Sequence, residues 1–155
     1  MRTITGLDEL KQAEGQDLGT SDWHEVTQEA IAQFAEVTGD RQWIHVDPQR
    51  ARRESAYGGT IAHGFLTLSL VSRLLRDAVG NVNGAAMAIN YGVNKVRFPA
   101  PVPSGSRVRG RCALRAVEPI DGGVQATWQV LVERDGSAKP CCAAEWLVRY
   151  YRSTP

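Results

Sequence analysis

One stretch of the chain, residues 61–79, is apolar around most of its circumference when it is placed on a helix. Phe65, Leu74 and Leu75 are among its apolar positions, and the few polar residues form a single stripe. An ordinary surface helix has an apolar stripe of about 100° or a little more, so this helix must be contacted on several sides. It is too short and too charged at its end to span a bilayer. The pattern predicts a central helix that the remaining chain surrounds.

After residue 84 the hydrophobic period changes from 3.6 to 2, which is the period of strands. Apolar residues alternate over four stretches, near 87–98, 108–116, 124–132 and 142–150. The phase slips near Gly92, where a bulge would explain it. Glycine turns after Asp121 and Asp135 predict hairpins, and hence an antiparallel sheet. One face of each strand is apolar, and the central helix is the partner that can cover it. The fold class predicted is α+β.

The first third of the chain predicts shorter elements. Leu7 and Leu10 have helical spacing, and residues 20–26 can form a first strand. Thr27 can cap a helix that ends at Gly39. A loop follows, and Asp47 with the proline after it indicates a second short helix. The whole chain, 1–155, is predicted to be a single domain with its core at about 18–151.

Composition narrows the classes of function. The formal net charge of +1 gives no reason to expect nucleic acid or a membrane as partner. Three cysteines, two of them adjacent, predict neither a disulfide framework nor a metal site. No signal peptide or transmembrane run is apparent, so the cytoplasm is the expected location. Neither a GxGxxG fingerprint nor a P-loop is present, which argues against those nucleotide sites.

Four residues are candidates for chemistry: Asp40, His45, His63 and Gly64. A carboxylate and an imidazole in a partly apolar pocket can hold one water between them, and a glycine at a helix N-terminus lets a ligand approach backbone N–H groups. In the alternative interpretation these residues have structural roles. Asp40 then forms a turn after Gly39, His45 packs in a loop, and Gly64 only avoids a steric clash under the sheet. A nucleophilic triad lacks a G-x-S-x-G motif. A zinc site is unfavourable because the three histidines are scattered along the sequence.

Three blocks of the sequence resemble the MaoC-like dehydratase family and, within it, the (R)-specific enoyl-CoA hydratases. Residues 34–45 contain Thr-Gly-Asp and, five positions after Asp40, His45. Residues 61–65 resemble the start of the family's central helix, and residues 90–102 resemble the strand beside its substrate tunnel. The sequence departs from the pattern at Gln42-Trp43, where the family usually has Asn-Pro. Proline's fixed φ is lost there.

The resemblance implies the hot dog fold, in which a curved antiparallel sheet wraps a long central helix. It also implies that Asp40 and His45 are the catalytic pair and that the Gly64 N–H binds the thioester oxygen, with His63 beside it. In the third block, Tyr91 and Gly92 are expected next to the substrate. Candidate contacts for the coenzyme A phosphates are Arg97, Lys95 or the cationic strand 107–115; the alternative for these arginines is a solvated outer face.

The activity expected from the resemblance is hydration of trans-2-enoyl-CoA to (3R)-3-hydroxyacyl-CoA, as in fatty acid metabolism. Coenzyme A is then part of the substrate, and neither a metal nor another cofactor is expected. Two alternatives stay open: a hot dog acyl-CoA thioesterase and a non-catalytic module that binds acyl thioesters. The strand 85–98 carries polar residues but lacks the inward charges or prolines that protect a free sheet edge, so it predicts a homodimer. The alternative is a monomer in which the N-terminal segment covers that edge.

Overall fold

A computed structural model describes residues 4–152 as helices packed against one antiparallel sheet. The helices within this range are α1 Leu7–Gln12, α2 Gln28–Thr38, α3 Trp43–Val46, α4 Pro48–Glu54, α5 Gly64–Ser69 and α6 Val71–Val79. The strands are β1 Asp17–Thr20, β2 His24–Val26, β3 Met87–Arg97, β4 Ser106–Ile120, β5 Gly123–Arg134 and β6 Cys142–Tyr151. None of these helices is long and apolar enough to cross a membrane.

The sheet has the order β1-β4-β5-β6-β3, and β2 also pairs with β4. Every pairing is antiparallel. The predicted α+β class is therefore confirmed. The hairpin between β4 and β5 turns at Asp121-Gly122, where Gly122 has a φ of 71° that favours glycine. The predicted slip near Gly92 is also present, as a register shift between Asn90 and Gly92.

The apolar stretch 61–79 is helical only from Gly64 onward, and it forms two helices rather than one. Leu70 alone separates α5 from α6, and its backbone keeps right-handed helical dihedral angles, with φ −69° and ψ −18°. The second helix is enclosed as predicted: Leu74 is 0% exposed. The backbone of β4 approaches it so closely that a Cβ added at Gly110 would lie 2.8 Å from the Leu74 Cβ. In α5 the prediction for Phe65 is wrong. That ring is 69% exposed beside Phe98 at the rim of the fold, and Leu66 is buried instead.

Strand β3 differs most from expectation. Among the described residues it pairs only with β6, and its apolar side chains are largely exposed: Met87, Ile89, Tyr91 and Val93 are 41–54% accessible. The central helices therefore do not cover the apolar face of every strand. This strand presents both an unpaired backbone edge and an apolar surface.

Near the N-terminus the predicted strand 20–26 is divided into β1 and β2, both of which pair with β4. The packed core also begins before residue 18, since Ile4, Leu7 and Leu10 are 0–4% exposed within it. The loop expected to carry His45 contains the single helical turn α3, closed by the Asp47 N–H on the Trp43 carbonyl at 3.0 Å.

Candidate active site

Asp40 is placed by the end of α2. The Thr27 side chain caps the start of this helix through the Ala30 N–H at 3.1 Å, as predicted. Gly39 ends it with a left-handed φ of 75°, which costs glycine little. The chain turns sharply there, and the Asp40 side chain stays 57% exposed. Its carboxylate is therefore accessible to a ligand or to water.

His45 is buried in α3 and held by one backbone group. Its Nδ1 lies 2.7 Å from the Ile61 carbonyl oxygen, and the ring is only 6% exposed. A carbonyl oxygen can only accept a hydrogen bond, so the proton of the neutral ring is on Nδ1. The lone pair is then on Nε2, where it can accept a hydrogen bond from a water.

Burial lowers the pKa of His45 below its ordinary value of 6.5, and the neighbouring His63 acts in the same direction. The hydrogen bond to Ile61 and the carboxylate of Asp40 oppose this effect. Desolvation disfavours the charged imidazolium. His45 is therefore a neutral hydrogen-bond acceptor at pH 7.

His63 completes the cluster with Asp40 and His45. It is 3% exposed, and its ring stacks on that of His45 with centroids 3.8 Å apart and planes inclined by 26°. Its Nε2 lies 2.9 Å from the Asp40 backbone oxygen and 4.0 Å from Asp40 Oδ2. Polar atoms of the three side chains all lie within 4.8 Å of one another. The structure thus brings together three of the four predicted candidates.

Two imidazoles and a carboxylate are also a ligand set for transition metals. Their proximity was not predicted, because the histidines are far apart in the sequence. The stacking of His45 on His63 opposes this use. Imidazole lone pairs lie in the ring plane, and two nearly parallel rings only 3.8 Å apart do not direct them at one point. The arrangement instead suits the binding of one small polar molecule against His45 and Asp40.

Gly64, the fourth candidate, is the first residue of α5. It lines a cavity of about 270 Å³ together with Thr67, Phe98 and Cys141. A Cβ at this position would lie 2.8 Å from the Phe98 ring. The first N–H groups of a helix have no partner within it. Gly64 therefore lies at a cavity wall where the start of a helix has unpaired donors and where a side chain would collide with Phe98.

Cys141, in the wall of the same cavity, is not a nucleophile. It is 1% exposed, and burial raises the pKa of its thiol to about 11. Only the thiolate attacks carbonyl carbon efficiently. The chemistry of this site therefore rests on its carboxylate and imidazoles.

Tyr91, Gly92 and Arg97 have contacts of their own within the described chain. The Tyr91 ring lies 3.3 Å from the Arg149 guanidinium. Gly92 lines a separate cavity of about 250 Å³ beside α5. Arg97 is exposed and donates to the carbonyl of its neighbour Val96. Their predicted contacts with substrate remain predictions.

The unusual dipeptide Gln42-Trp43 does not prevent the turn that carries His45. Gln42 directly precedes α3 as its N-cap, and its backbone carbonyl accepts the His45 N–H at 2.9 Å. The Trp43 indole packs under the guanidinium of Arg50 in α4, 4.5 Å from the ring centre. A cation–π contact thus stabilises a turn that the family usually fixes with proline.

Comparison with known proteins agrees with this geometry. The model of the MaoC like domain family matches residues 9–134. The chain belongs to the MaoC-like dehydratase family. A curated member, 3-hydroxyacyl-thioester dehydratase Z of Mycobacterium tuberculosis (strain ATCC 25618 / H37Rv), is 54% identical over 151 residues, which cover 97% of this chain and 99% of that protein. The predicted class of enzyme, a lyase of the hydratase or dehydratase type, is confirmed at this level.

Solved structures of MaoC-like proteins support the fold. The (R)-hydratase from A. caviae involved in PHA biosynthesis has a TM-score of 0.69 and 25% identity, covering 88% of this chain and 98% of its own. The MaoC-like dehydratase from Rhodospirillum rubrum has a TM-score of 0.72 and 24% identity. The match covers 92% of this chain and 95% of that protein. The hot dog fold implied by the sequence is confirmed.

Sequence reasoning did not predict how closely His63 approaches Asp40. His63 was expected beside the thioester, through its neighbour Gly64, and no direct contact with Asp40 was predicted. The two residues are 23 positions apart, and no periodicity connects a helix C-terminus with the segment before another helix. The His-Gly dipeptide is the only local signal, and it indicates a helix start rather than a contact.

Proposed function

We propose that this MaoC-like protein hydrates trans-2-enoyl-CoA to (3R)-3-hydroxyacyl-CoA and catalyses the reverse dehydration. The observation that carries the proposal is the pairing of an accessible Asp40 carboxylate with a buried His45, one ring nitrogen of which lies within 4.8 Å of a carboxylate oxygen. A carboxylate oxygen and the Nε2 lone pair are both acceptors, so each can receive one hydrogen of a single water. The water oxygen is then directed away from both of them, towards a bound substrate.

In the proposed hydration, the thioester oxygen accepts hydrogen bonds from N–H groups at the start of α5, Gly64 among them. These donors stabilise the negative charge that develops on oxygen when C3 is attacked. Asp40 removes one proton from the water as its oxygen bonds to C3, while His45 holds the other hydrogen. The proton on Asp40 then passes to C2 on the same face. No metal or redox group enters the balance.

The acyl chain has space along the central helices. The cavity of about 250 Å³ beside Gly92 starts at Leu68, about one helical turn after Gly64. It shares Ser72 and Trp146 with a larger cavity of about 580 Å³ that continues along α6. We place the acyl chain in this groove. Arg97 remains the proposed contact for the phosphates of coenzyme A, outside the cavity at Gly64.

We also propose that two copies form a homodimer through β3. The described part of the chain leaves the outer edge of β3 unpaired, and the exposed apolar residues of this strand lie beside the same edge. A second copy would pair with that edge and cover those side chains. Tyr91 and Gly92 would then lie between the groove and the partner subunit. The cytoplasmic location stays a prediction.

The test is loss of enoyl absorbance when the purified protein is mixed with crotonyl-CoA. Asp40→Asn and His45→Gln should each lower kcat by at least about 100-fold while the fold is kept, the scale of general acid–base catalysis. Matched controls are Asp8→Asn, whose side chain is 90% exposed, and His24→Gln, which lies in β2. Both controls should keep wild-type turnover.

Two outcomes would contradict the proposal. Release of free thiol from butyryl-CoA without hydration of crotonyl-CoA would establish the thioesterase alternative. Binding of both thioesters without turnover would establish the acyl-binding module. Near-wild-type turnover of Asp40→Asn or His45→Gln would refute the assignment of the catalytic pair, even in an active hydratase.

A further inference from the structure

We propose that His63 is the positioning residue of this site: its Nε2–H holds the backbone of Asp40 and its ring supports His45, so one side chain sets the geometry between the two catalytic groups. This inference rests on the proposed function of Asp40 and His45. It gives His63 a role apart from the thioester contact that its neighbour Gly64 suggests.

The first argument is the hydrogen bond to Asp40. The Asp40 carbonyl oxygen can only accept, so the Nε2 atom at 2.9 Å must carry a proton. Asp40 follows a left-handed glycine and is itself exposed. Its N–H meets the Thr38 hydroxyl only at 3.4 Å. Within residues 4–152, the His63 contact is thus the short hydrogen bond that ties Asp40 to the buried part of the fold.

The second argument is the packing against His45. The His63 ring lies against the His45 ring on one side, with centroids 3.8 Å apart, and against Phe34 of α2 at 5.0 Å. Both histidines are at most 6% exposed, so neither ring can turn without displacing the other. The direction of the His45 Nε2 lone pair therefore depends on His63.

The third argument is the segment 61–63, which connects the site. The Ile61 N–H donates to the Ile44 carbonyl at 3.0 Å, and the Ile61 carbonyl accepts from His45 Nδ1. Two residues later, His63 donates to Asp40, and the next residue is Gly64. The segment 61–64 therefore holds the imidazole through Ile61 and the carboxylate loop through His63, and it begins α5 at Gly64.

The remaining ring nitrogen agrees with a role in positioning. His63 Nδ1 is buried and makes no hydrogen bond within the described residues. An unsatisfied buried polar atom destabilises the folded state. Phenylalanine would avoid that cost and keep the stacking, but it could not hold Asp40. What the histidine contributes beyond a ring is therefore the Nε2–H.

The test compares two substitutions that separate these features. His63→Gln keeps an N–H near the position of Nε2 and loses the ring, whereas His63→Phe keeps a stacked ring and loses the donor. Because small displacements of catalytic groups are costly, His63→Phe should lower kcat for crotonyl-CoA by at least about tenfold. KM should stay within about twofold. His63→Gln should recover at least about threefold of that loss in kcat.

A double substitution identifies the residue through which His63 acts. In an Asp40→Asn background, His63→Phe should lower the residual kcat by less than about threefold, because the group that it positions is no longer a base. Equal kcat losses in the Phe and Gln variants would overturn the proposal, as would multiplication of the two losses in the double variant. A kcat of His63→Phe within about twofold of wild type would also overturn it.

Nitrogen-15 NMR of the imidazoles in the wild-type protein gives a readout that requires neither enzymatic activity nor a folded variant. The chain has three histidines, so the signals can be assigned with His24 as the reference. We expect the Nε2–H tautomer for His63 and the Nδ1–H tautomer for His45. An Nδ1–H tautomer at His63 would overturn the proposal. Failure of the wild-type protein to hydrate crotonyl-CoA would instead refute the proposed function.

Discussion

Truncation of Leu74 to alanine tests whether the sheet encloses α6. Leu74 is 0% exposed, and its Cβ is so close to the β4 backbone that Gly110 has no room for a side chain. The substitution removes three buried carbons, worth about 2.4 kcal/mol at roughly 0.8 kcal/mol each. The rigid strand behind Leu74 cannot collapse into the space, so a cavity cost is added. We expect a total loss of about 3–5 kcal/mol in the free energy of unfolding.

Urea unfolding of wild type and Leu74→Ala at equal protein concentration measures this loss, since assembly makes apparent stability depend on concentration. The matched control is Val37→Ala in α2, where the side chain is 87% exposed. This control should change the free energy of unfolding by no more than about 0.5 kcal/mol. A loss below about 0.5 kcal/mol for Leu74→Ala would refute the enclosed position of α6.

Three further predictions concern the site and the assembly. Because the pKa of His45 lies below 6.5 and its neutral form accepts the water, kcat/KM should hold as pH falls to 6.5 and decline only below it; a half-maximal value above pH 6.5 would contradict this. Gly64→Ala should lower kcat/KM by at least about tenfold, because its Cβ would displace the Phe98 ring. Phe98→Leu should restore part of that loss, and Gly59→Ala, with open space around it, should be neutral. Wild type should sediment as a dimer in sedimentation equilibrium, and Ile89→Lys should sediment as a monomer. A monomeric wild type at micromolar concentration would contradict the proposed β3 interface.

Patterns along the chain predicted much of the fold because burial imposes a period on each element. Along β4, β5 and β6, apolar residues largely alternate between buried and less buried positions. The slip in phase at Gly92 corresponds to a change of strand register. Periodicity did not predict the break at Leu70, since both helices keep apolar residues in phase across it. It also assigned the apolar side of β3 to the core. A hydrophobic pattern indicates that a face of a strand is buried in a contact, but it does not indicate whether the contacting surface belongs to the same chain or to a second copy.

The candidate site was predictable only in part. Asp40 and His45 are five residues apart, so the motif that contains both is visible in the sequence. His63 is 18 residues beyond His45 and reaches it through the packing of segment 61–63 against α3. Such a contact depends on tertiary packing and leaves no local pattern. Tyr91 and Arg97 were predicted from the third block of the resemblance, residues 90–102. In the described structure Tyr91 contacts Arg149, and Arg97 donates to the carbonyl of Val96.

The break at Leu70 divides one apolar stretch into two parts with different tolerance to sequence change. Leu74 of α6 is enclosed and does not line the proposed acyl groove, so a replacement there reduces the amount of folded protein whatever the substrate is. The start of α5 is partly open, with Phe65 exposed and Gly64 at a cavity. Replacements at such exposed positions can alter which thioester is accepted while the molecule still folds. Divergence of substrate range among related chains should therefore begin at the start of α5 and at groove positions such as Ser72, whereas enclosed positions such as Leu74 should vary little.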